Sequence, residues 1–350
     1  MKTNEAGAFE TAAKILKNGG LVAFPTETVY GLGGDALRSD ASMKIYAAKG
    51  RPSDNPLIVH IADFDTVYQL AEDISDAAKK LMEVFWPGPL TIVLKKKEIV
   101  PKETTGGLET VAVRMPIHPD AAHLIRKSGV SVAAPSANTS GRPSPTTAQH
   151  CIEDLNGRID MILDGGSVGI GIESTIVDMT GDQPTILRPG YITEEMLEAV
   201  IGPVAIDRAL LNPESGLKPK APGMKYTHYA PKGTLTIVES AATPSVVTEE
   251  VVQKINQLSK EAALKGHKVI ILTTKDMADR YAGNQMVFLG DDASSDSLGK
   301  DVASHLYAAL RKCDELGADI MFSESFQRGE LGGAIMNRLL KAAGHRVISV

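Results

Sequence analysis

The sequence predicts an α/β protein of two domains, a larger one with a mixed sheet and a smaller one with a parallel sheet. The chain has 350 residues, more than a single hydrophobic core usually serves. In the first half, several apolar runs lie too close together for crossover helices to fit between them. After residue 233, apolar runs alternate regularly with helical patterns, which is typical of a parallel, Rossmann-like sheet.

Helical spacing and capping residues predict the helices of the first half. Apolar residues recur at helical spacing over residues 8–17 and again over residues 41–49. Ser39 or Asp40 is the predicted N-cap of the second of these helices, and Gly50 is its predicted C-terminal stop. Similar patterns predict further helices over residues 76–85, 119–127, 146–155 and 193–200.

Short apolar runs rich in β-branched residues predict the strands that these helices flank. They cover residues 21–24, 57–61, 90–94, 111–115, 130–134, 161–163, 175–179 and 185–188. The last two flank Thr180-Gly181-Asp182-Gln183-Pro184, which is too short for a crossover helix and therefore joins an antiparallel hairpin. The first sheet is accordingly predicted to be twisted, open and mixed.

Prolines interrupt the periodicity over residues 204–232, which we interpret as a linker between a domain at 1–203 and a domain at 233–350. Two tyrosines and a histidine in Lys225-Tyr226-Thr227-His228-Tyr229 are unusual for an inert spacer, because such rings stack and hydrogen-bond. We therefore expect this segment to lie across a site. Beyond it, strands at 235–238, 269–272 and 320–322 alternate with helices at 249–263, 300–313 and 334–343.

Composition excludes several classes of protein. A net charge of -6 gives no general electrostatic reason to bind nucleic acid stably, although it leaves room for a local basic cleft. The only cysteines, Cys151 and Cys313, suggest neither a disulfide framework nor a thiolate metal site. Residues 1–10 do not resemble a secretory signal, and no apolar run approaches the ~20 residues of a membrane span. We expect a soluble, cytoplasmic protein with no membrane partner.

Two proline-bounded polar loops point to an anion site. They are Lys49-Gly50-Arg51-Pro52-Ser53-Asp54-Asn55-Pro56 and the segment from Pro135 to Pro145, which contains Ser136 and Asn138. Arginine offers a planar fork for phosphate oxygens and lysine a compact charge. Two simpler interpretations stay open: the cations can offset a helix dipole, and the serine and asparagine can cap the next element.

The familiar nucleotide and hydrolase motifs are absent from the sequence. Gly31-Leu32-Gly33-Gly34 has neither the spacing nor the lysine of a phosphate-binding loop. No Ser-His-Asp order, H-E-x-x-H or His/Cys cluster occurs. What remains is positioning and charge stabilisation, the usual means of phosphoryl and nucleotidyl transfer.

Other polar residues stand at the ends of predicted strands. Thr28 follows the first strand, and His60, inside a strand, is more often a satisfied core residue than a ligand. Alternation places Thr110, Ala112 and Arg114 on one face, where the arginine requires an anionic partner such as a carboxylate. Ser174 and Arg188 are further candidates at strand ends.

Several motifs together resemble the YrdC-like family of threonylcarbamoyl-AMP synthases, in its long two-domain form. They are Pro25-Thr26-Glu27-Thr28-Val29-Tyr30-Gly31-Leu32, Lys49-Gly50-Arg51-Pro52, Asn55-Pro56-Leu57, Phe85-Trp86-Pro87-Gly88-Pro89-Leu90-Thr91, Val113-Arg114-Met115-Pro116 and Ala134-Pro135-Ser136-Ala137-Asn138. The resemblance implies a nucleotidyltransferase that makes L-threonylcarbamoyl-adenylate from L-threonine, bicarbonate and ATP. The product feeds threonylcarbamoylation of the adenosine beside the tRNA anticodon, through a tRNA threonylcarbamoyl transferase.

The resemblance also implies roles for individual residues. Lys49 and Arg51 would be catalytic and would bind ATP together with Asn55, Thr110, Ser136, Asn138, Ser144, Arg188 and the linker residue Tyr229. The threonine pocket would comprise Thr28, His60, Arg114, Ser174 and the backbone of Ala134. No carboxylate cluster suggests a metal cage, so Mg²⁺ would be held mainly by ATP phosphates and water.

Two other functions stay open from the residues. A carbamoyltransferase-like enzyme would use carbamoyl phosphate and would not need threonine. An RNA-binding module would use the cationic face without catalysis, and its RNA binding would depend steeply on salt.

Overall fold

The computed structural model describes residues 1–207, 228–291, 298–327 and 329–350. Within these residues the chain divides into two compact units. The first takes in residues 1–140, 144–169 and 173–207, and the second takes in residues 141–143, 170–172 and those from 228 onward. Most of the predicted linker, including Tyr226, lies outside the described residues, so the predicted domain boundaries stay a prediction.

The first unit alternates short strands with amphipathic helices. Its helices are α1 Ala8–Lys17, α2 Ser39–Lys49, α3 Val67–Leu70, α4 Asp76–Phe85, α5 Pro119–Ser128, α6 Ala148–Leu155 and α7 Glu194–Ile201. Its strands are β1 Val22–Phe24, β2 Gly31–Asp35, β3 Ile58–His60, β4 Ala71–Glu72, β5 Leu90–Lys96, β6 Thr110–Arg114, β7 Val132–Ala133, β8 Met161–Ile162, β9 Thr175–Asp178, β10 Thr185–Arg188 and β11 Ala205–Ile206.

The strands of the first unit form one mixed sheet, in the order β11-β10-β9-β5-β6-β3-β7-β2-β1-β8, with β4 pairing with β5. Strands β3 and β6 are parallel, as are β5 and β9. Strands β5 and β6 are antiparallel, and so is the β9–β10 hairpin. The predictions of a mixed sheet and of this hairpin are confirmed.

Apolar residues of the helices pack against the sheet of the first unit. Leu16 of α1 and Leu124 of α5 share one buried cluster with Phe24 of β1. A larger cluster includes Ile45 of α2 and Leu81 of α4. Burial of such side chains stabilises each helix by ~1.5 to 3 kcal/mol per large residue, which outweighs the weak propensity of short helices.

Two local predictions in this unit were wrong. Helix α2 begins at Ser39 with Arg38 as its N-cap residue, one position before the residues predicted to cap it. The glycine-rich segment Gly31–Asp35 was not predicted as a strand, yet it pairs with both β1 and β7. A Cβ atom at Gly33 would lie 2.8 Å from both Phe24 and Val132, so glycine is required by close packing rather than by strand propensity.

The second unit is a parallel α/β layer structure. Its strands are β12 Thr234–Glu239, β13 Val269–Thr273, β14 Met286–Phe288, β15 Ile320–Glu324 and β16 Val347–Ser349, and its helices are α8 Glu249–Leu264, α9 Leu298–Glu315 and α10 Gly332–Ala342. The sheet order is β14-β13-β15-β12-β16, and every pairing is parallel. The predicted parallel sheet is confirmed, whereas β14 and β16 were missed. In the described parts of both units, no helix is long and apolar enough to span a bilayer.

Candidate active site

Sheet register brings the predicted site residues Arg114 and His60 together with Thr91 at one end of the first unit's sheet. Arg114, the last residue of β6, lies opposite His60 of β3 and opposite Thr91 of β5. On the far side of β3, His60 lies opposite Val132 of β7, which leads directly to Ala134. Directly opposed residues project from the same face of a sheet, so these side chains share a surface. Of the residues predicted to bind threonine, Arg114 and His60 therefore lie at the carboxyl ends of β3 and β6.

Arg114 is the hub of this end of the sheet. The guanidinium is buried and donates from Nη2 to Glu27 Oε1 at 2.6 Å, from Nη1 to Thr28 Oγ1 at 2.9 Å and from Nε to Gly88 O at 3.3 Å. The carboxylate partner predicted for Arg114 is thus confirmed, and it is Glu27. Fixing the guanidinium from three sides pre-organises it for a second planar anion.

His60 lies beside Arg114 as a neutral imidazole. Burial, followed by the positive charge of Arg114, lowers the pKa of His60 to about 3. Its Nδ1 lies 3.2 Å from Ile58 O, and its ring contacts Phe24 edge to face at a centroid distance of 6.5 Å. The residue is therefore a well-packed core histidine beside Arg114, and its role in threonine binding stays a prediction.

Ser174 links Arg188, the second arginine of the candidate site, to Thr91 beside Arg114. Arg188 donates from Nη2 to Ser174 Oγ at 3.1 Å and from Nε to Ser174 O at 3.0 Å. The Ser174 hydroxyl also lies 2.7 Å from Thr91 Oγ1. The neighbouring Glu173 accepts a hydrogen bond of 2.6 Å from Ser144 Oγ. Ser144, Ser174 and Arg188 are thus linked through consecutive residues of one loop.

The lysine predicted to bind phosphate organises the second polar loop. Lys49 ends α2, is 1% exposed, and its ammonium donates to the carbonyls of both Ser136 and Asn138, the latter at 2.5 Å. Ser136 Oγ donates to Asn138 Oδ1 at 2.5 Å, and the loop returns a backbone bond from Ser140 N to Lys49 O at 2.9 Å. Three of the residues predicted to bind ATP are therefore in direct contact.

Arg51 completes a second cluster just before β3. Its Nε donates to Asn55 O at 3.2 Å and its Nη2 to Pro56 O at 3.0 Å. Asn55 Oδ1 is buried and has no hydrogen-bond partner among the described residues. Thr110, at the opposite end of β6 from Arg114, pairs with Lys95. These positions lie toward the amino ends of β3 and β6.

A small apolar floor connects the two ends. Ala112 lies between Thr110 and Arg114 on β6, opposite Ile58 and Val93 on the same sheet face. These residues form a separate buried cluster with Ile176 and Leu187. The four-residue separation of Thr110 and Arg114 corresponds to about 13 Å along the strand. The two ends of this floor therefore carry different polar groups, Thr110 at one and Arg114 at the other.

Tyr229 belongs to the second unit. It is buried, has a φ of 65°, and stacks on Tyr307 at a centroid distance of 5.1 Å. Its predicted role over the nucleotide stays a prediction. Among the described residues, no group of three or more His, Cys, Asp or Glu side chains forms a metal-binding cluster.

Glu27, Thr91 and Glu173 contact the predicted residues but were not predicted as site residues. Glu27 and Thr91 stand inside motifs that the sequence analysis singled out, and Glu173 precedes Ser174. The sequence indicated that Arg114 needs an anionic partner, but it did not identify which carboxylate supplies it. Only the fold, which brings the segment after β1 to the end of β6, identifies Glu27.

Comparison with known proteins agrees with this architecture. The Sua5/YciO/YrdC family profile, described as "Telomere recombination", matches residues 14–190. A second profile, described as "Threonylcarbamoyl-AMP synthase, C-terminal domain", matches residues 192–344. A mixed YrdC-like sheet joined to a smaller parallel domain thus defines a two-domain enzyme of the nucleotidyltransferase type.

Individual relatives narrow this class. The threonylcarbamoyl-AMP synthase of Bacillus subtilis (strain 168) is 49% identical over 99% of this chain and 96% of its own. That of Pyrococcus abyssi (strain GE5 / Orsay) is 46% identical over 97% of this chain and 95% of its own. The crystal structure of P. abyssi Sua5 complexed with L-threonine superposes with a TM-score of 0.90 at 46% identity, covering 98% of this chain and 96% of that one. The chain belongs to the threonylcarbamoyl-AMP synthase family.

Proposed function

We propose that this protein condenses L-threonine, bicarbonate and ATP into L-threonylcarbamoyl-AMP, with release of pyrophosphate and water. The observation that carries this proposal is the pair of polar ends on one sheet face, which an apolar floor separates. One end offers a buried guanidinium beside neutral hydrogen-bonding groups, and the other offers cations and loop hydroxyls. An amino acid and a nucleotide need these two different surroundings.

The end around Arg114 is suited to threonine. A carboxylate of the substrate would bind the guanidinium, and Ser174, Thr28, the Ala134 backbone and neutral His60 would supply hydrogen bonds to its other polar atoms. A site that hydrogen-bonds the substrate hydroxyl discriminates strongly against valine, whereas the extra methyl distinguishes threonine from serine by only ~1 to 3 kcal/mol. Serine is therefore the expected competitor.

The end around Lys49 and Arg51 is suited to the nucleotide. We propose that these cations stabilise negative charge on the phosphates, and that Asn55, Thr110, Ser136 and Asn138 position the ATP or the adenylate. Ser144 and Arg188, which bond to Glu173 and Ser174, are also proposed to contact the nucleotide. Lys49 also holds two loop carbonyls, so its ammonium fixes the geometry of the loop that carries Ser136 and Asn138. Tyr229 is a further proposed ATP-binding residue.

MgATP is the proposed form of the nucleotide. Since the described residues hold no cluster of three acidic or histidine side chains, the magnesium ion would enter on the phosphates and be ligated mainly by phosphate and water oxygens. The ion would offset charge on the leaving pyrophosphate. We assign no protein ligand to it.

The reaction consists of two bond-forming events in the proposed site. The neutral amine of threonine captures bicarbonate with loss of water, which gives a carbamate. A carbamate oxygen then attacks the α-phosphorus of ATP in line, and pyrophosphate leaves. The protein contributes proximity between the two ends of the floor and charge stabilisation by Lys49 and Arg51. The labile product is proposed to pass to a tRNA threonylcarbamoyl transferase.

Pyrophosphate release from ATP tests this function. We expect release that requires both L-threonine and bicarbonate, with threonylcarbamoyl-AMP detected by mass spectrometry in the same samples. Release at the same rate without threonine would reject the synthase reaction. Release supported by carbamoyl phosphate instead of threonine and bicarbonate would identify a carbamoyltransferase.

A further inference from the structure

The carboxylate of Glu27 is the least satisfied charged group near the candidate site. Glu27 follows β1 and is 8% exposed, and its Oε1 accepts the 2.6 Å bond from Arg114. Its other oxygen, Oε2, is buried and has no hydrogen-bond partner within the described parts of the chain. Buried carboxylate oxygens are costly to leave without a donor, so this atom requires an explanation.

Arg114 has complementary capacity left over. Its hydrogen bonds to Gly88, Thr28 and Glu27 use one N–H on each of Nε, Nη1 and Nη2, whereas a guanidinium carries five N–H groups. One further N–H on each terminal nitrogen can therefore still reach a ligand. The ion pair as a whole offers donors on its arginine side and an anionic acceptor on its glutamate side. Its charges cancel, so it favours a ligand that is itself a zwitterion over a simple anion or cation.

The hydroxyl protons beside the pair are already committed. Thr26 Oγ1 donates to Val29 O at 2.7 Å, so the 2.9 Å contact between Thr26 and Thr28 uses the proton of Thr28. Thr28 Oγ1 in turn accepts from Arg114. Neutral His60 adds no charge to this group. Within this local group, Glu27 Oε2 is a carboxylate oxygen that has no donor.

We propose that Glu27 Oε2 binds the α-ammonium group of L-threonine while Arg114 binds its carboxylate. The inference rests on the proposed function and identifies a further substrate-binding residue for it. The two charged groups of an α-amino acid are separated by a single carbon, which matches a carboxylate and a guanidinium that are already hydrogen-bonded to each other. Glu27 thereby selects amino acids over hydroxy acids of the same shape.

A ligand that lacks the amine separates this role from simple positioning of Arg114. (R)-3-Hydroxybutyrate keeps the carboxylate, the hydroxyl and the methyl group of L-threonine but has no ammonium. In Glu27→Gln, the amide oxygen can still accept from Arg114, whereas the amide NH₂ replaces Oε2 and presents a donor to the ammonium. Isothermal titration calorimetry of both ligands against full-length wild type and Glu27→Gln gives four dissociation constants.

We expect Glu27→Gln to raise the dissociation constant of L-threonine by at least about tenfold, as for loss of a charge-assisted hydrogen bond. The dissociation constant of 3-hydroxybutyrate should change by less than about threefold. The matched control is Glu83→Gln, at an exposed position of α4, which should change neither constant. Equal weakening of both ligands would mean that Glu27 acts only through Arg114, and unchanged threonine binding would show that it has no role. Either result overturns the proposal.

Two further measurements keep the test decisive. If Glu27→Gln does not fold, wild-type protein alone must bind 3-hydroxybutyrate at least about tenfold more weakly than L-threonine, and equal affinities would overturn the proposal. Failure of wild type to bind L-threonine at all would instead count against the proposed function. Steady-state kinetics should place the effect of Glu27→Gln on the KM for threonine, with the KM for ATP unchanged.

Discussion

His60 gives the sharpest link between burial and a measurable quantity. Burial and the charge of Arg114 lower its pKa from 6.5 to about 3, so the unfolded chain binds a proton on this histidine that the folded chain excludes between these pH values. Stability from this source is therefore complete above pH 6.5 and is lost as the pH falls. From these two pKa values, His60 alone should lower the free energy of unfolding of wild type by about 2 kcal/mol between pH 7 and pH 5.

Replacing the histidine should remove that loss. We expect the unfolding free energy of His60→Gln to fall less between pH 7 and pH 5 than that of wild type, by about 2 kcal/mol, whatever its absolute stability. Trp86 is the only tryptophan, is 7% exposed and donates from Nε1 to Leu90 O at 2.7 Å, so its fluorescence reports denaturant unfolding of the unit that contains His60.

His123→Gln, at an exposed position of the same unit, controls for the loss of an imidazole as such. Parallel pH dependence for wild type and His60→Gln would refute the reasoning, because it would mean that His60 is protonated equally in the folded and unfolded chains. A loss of threonine binding in His60→Gln at pH 7, measured by calorimetry, would separately support its place in the pocket.

Two further predictions concern Lys49 and Glu324. Lys49→Ala should lower pyrophosphate release at least ~tenfold through lost charge stabilisation, while Lys80→Ala, at an exposed position, should not; near-normal release from Lys49→Ala would contradict the assignment. Burial raises the pKa of Glu324, which accepts from Thr273 and Tyr281, from 4.5 to about 7, so its share of stability falls as the pH rises through that range. Between pH 5 and pH 8, the unfolding free energy of wild type should fall by about 2 to 3 kcal/mol relative to that of Glu324→Gln, as measured by hydrogen exchange of β13 and β15. The same pH dependence in both proteins would refute this.

Much of the fold could be predicted because its elements carry local signals. Helix α4 occupies the predicted residues, with Ser75 Oγ accepting from Ala78 N at its start. The parallel sheet after residue 233 followed from regular alternation of apolar runs and helical patterns. Strand β2 could not be predicted, because three of its five residues are glycine and its identity comes from neighbours on both sides. Local propensity does not contain that information.

The candidate site, like the fold, was predicted only where local sequence carries the information. Alternation along β6 correctly predicted that Arg114 needs an anion, since a charged side chain on a small-residue face is stable only when paired. The identity of that anion depends on β1 and β6 being brought together from 87 positions apart in sequence. Lys49 illustrates the opposite limit: the sequence offered a dipole role or a phosphate role, and it did not reveal that the ammonium also holds two carbonyls of the other polar loop.

These contacts also bear on how one chain can hold two chemically different substrates. The alternation Thr110-Val111-Ala112-Val113-Arg114 places a hydroxyl and a guanidinium at opposite ends of one strand, with a single methyl group between them on the site face. A longer side chain at the middle position would fill the floor, whereas alanine leaves it flat. The same five residues therefore separate the two ends of the site by a fixed distance, which loops alone would hold less rigidly. On this reasoning, bond formation between the proposed substrates depends on the rigidity of β6 as much as on the charges of Lys49 and Arg51.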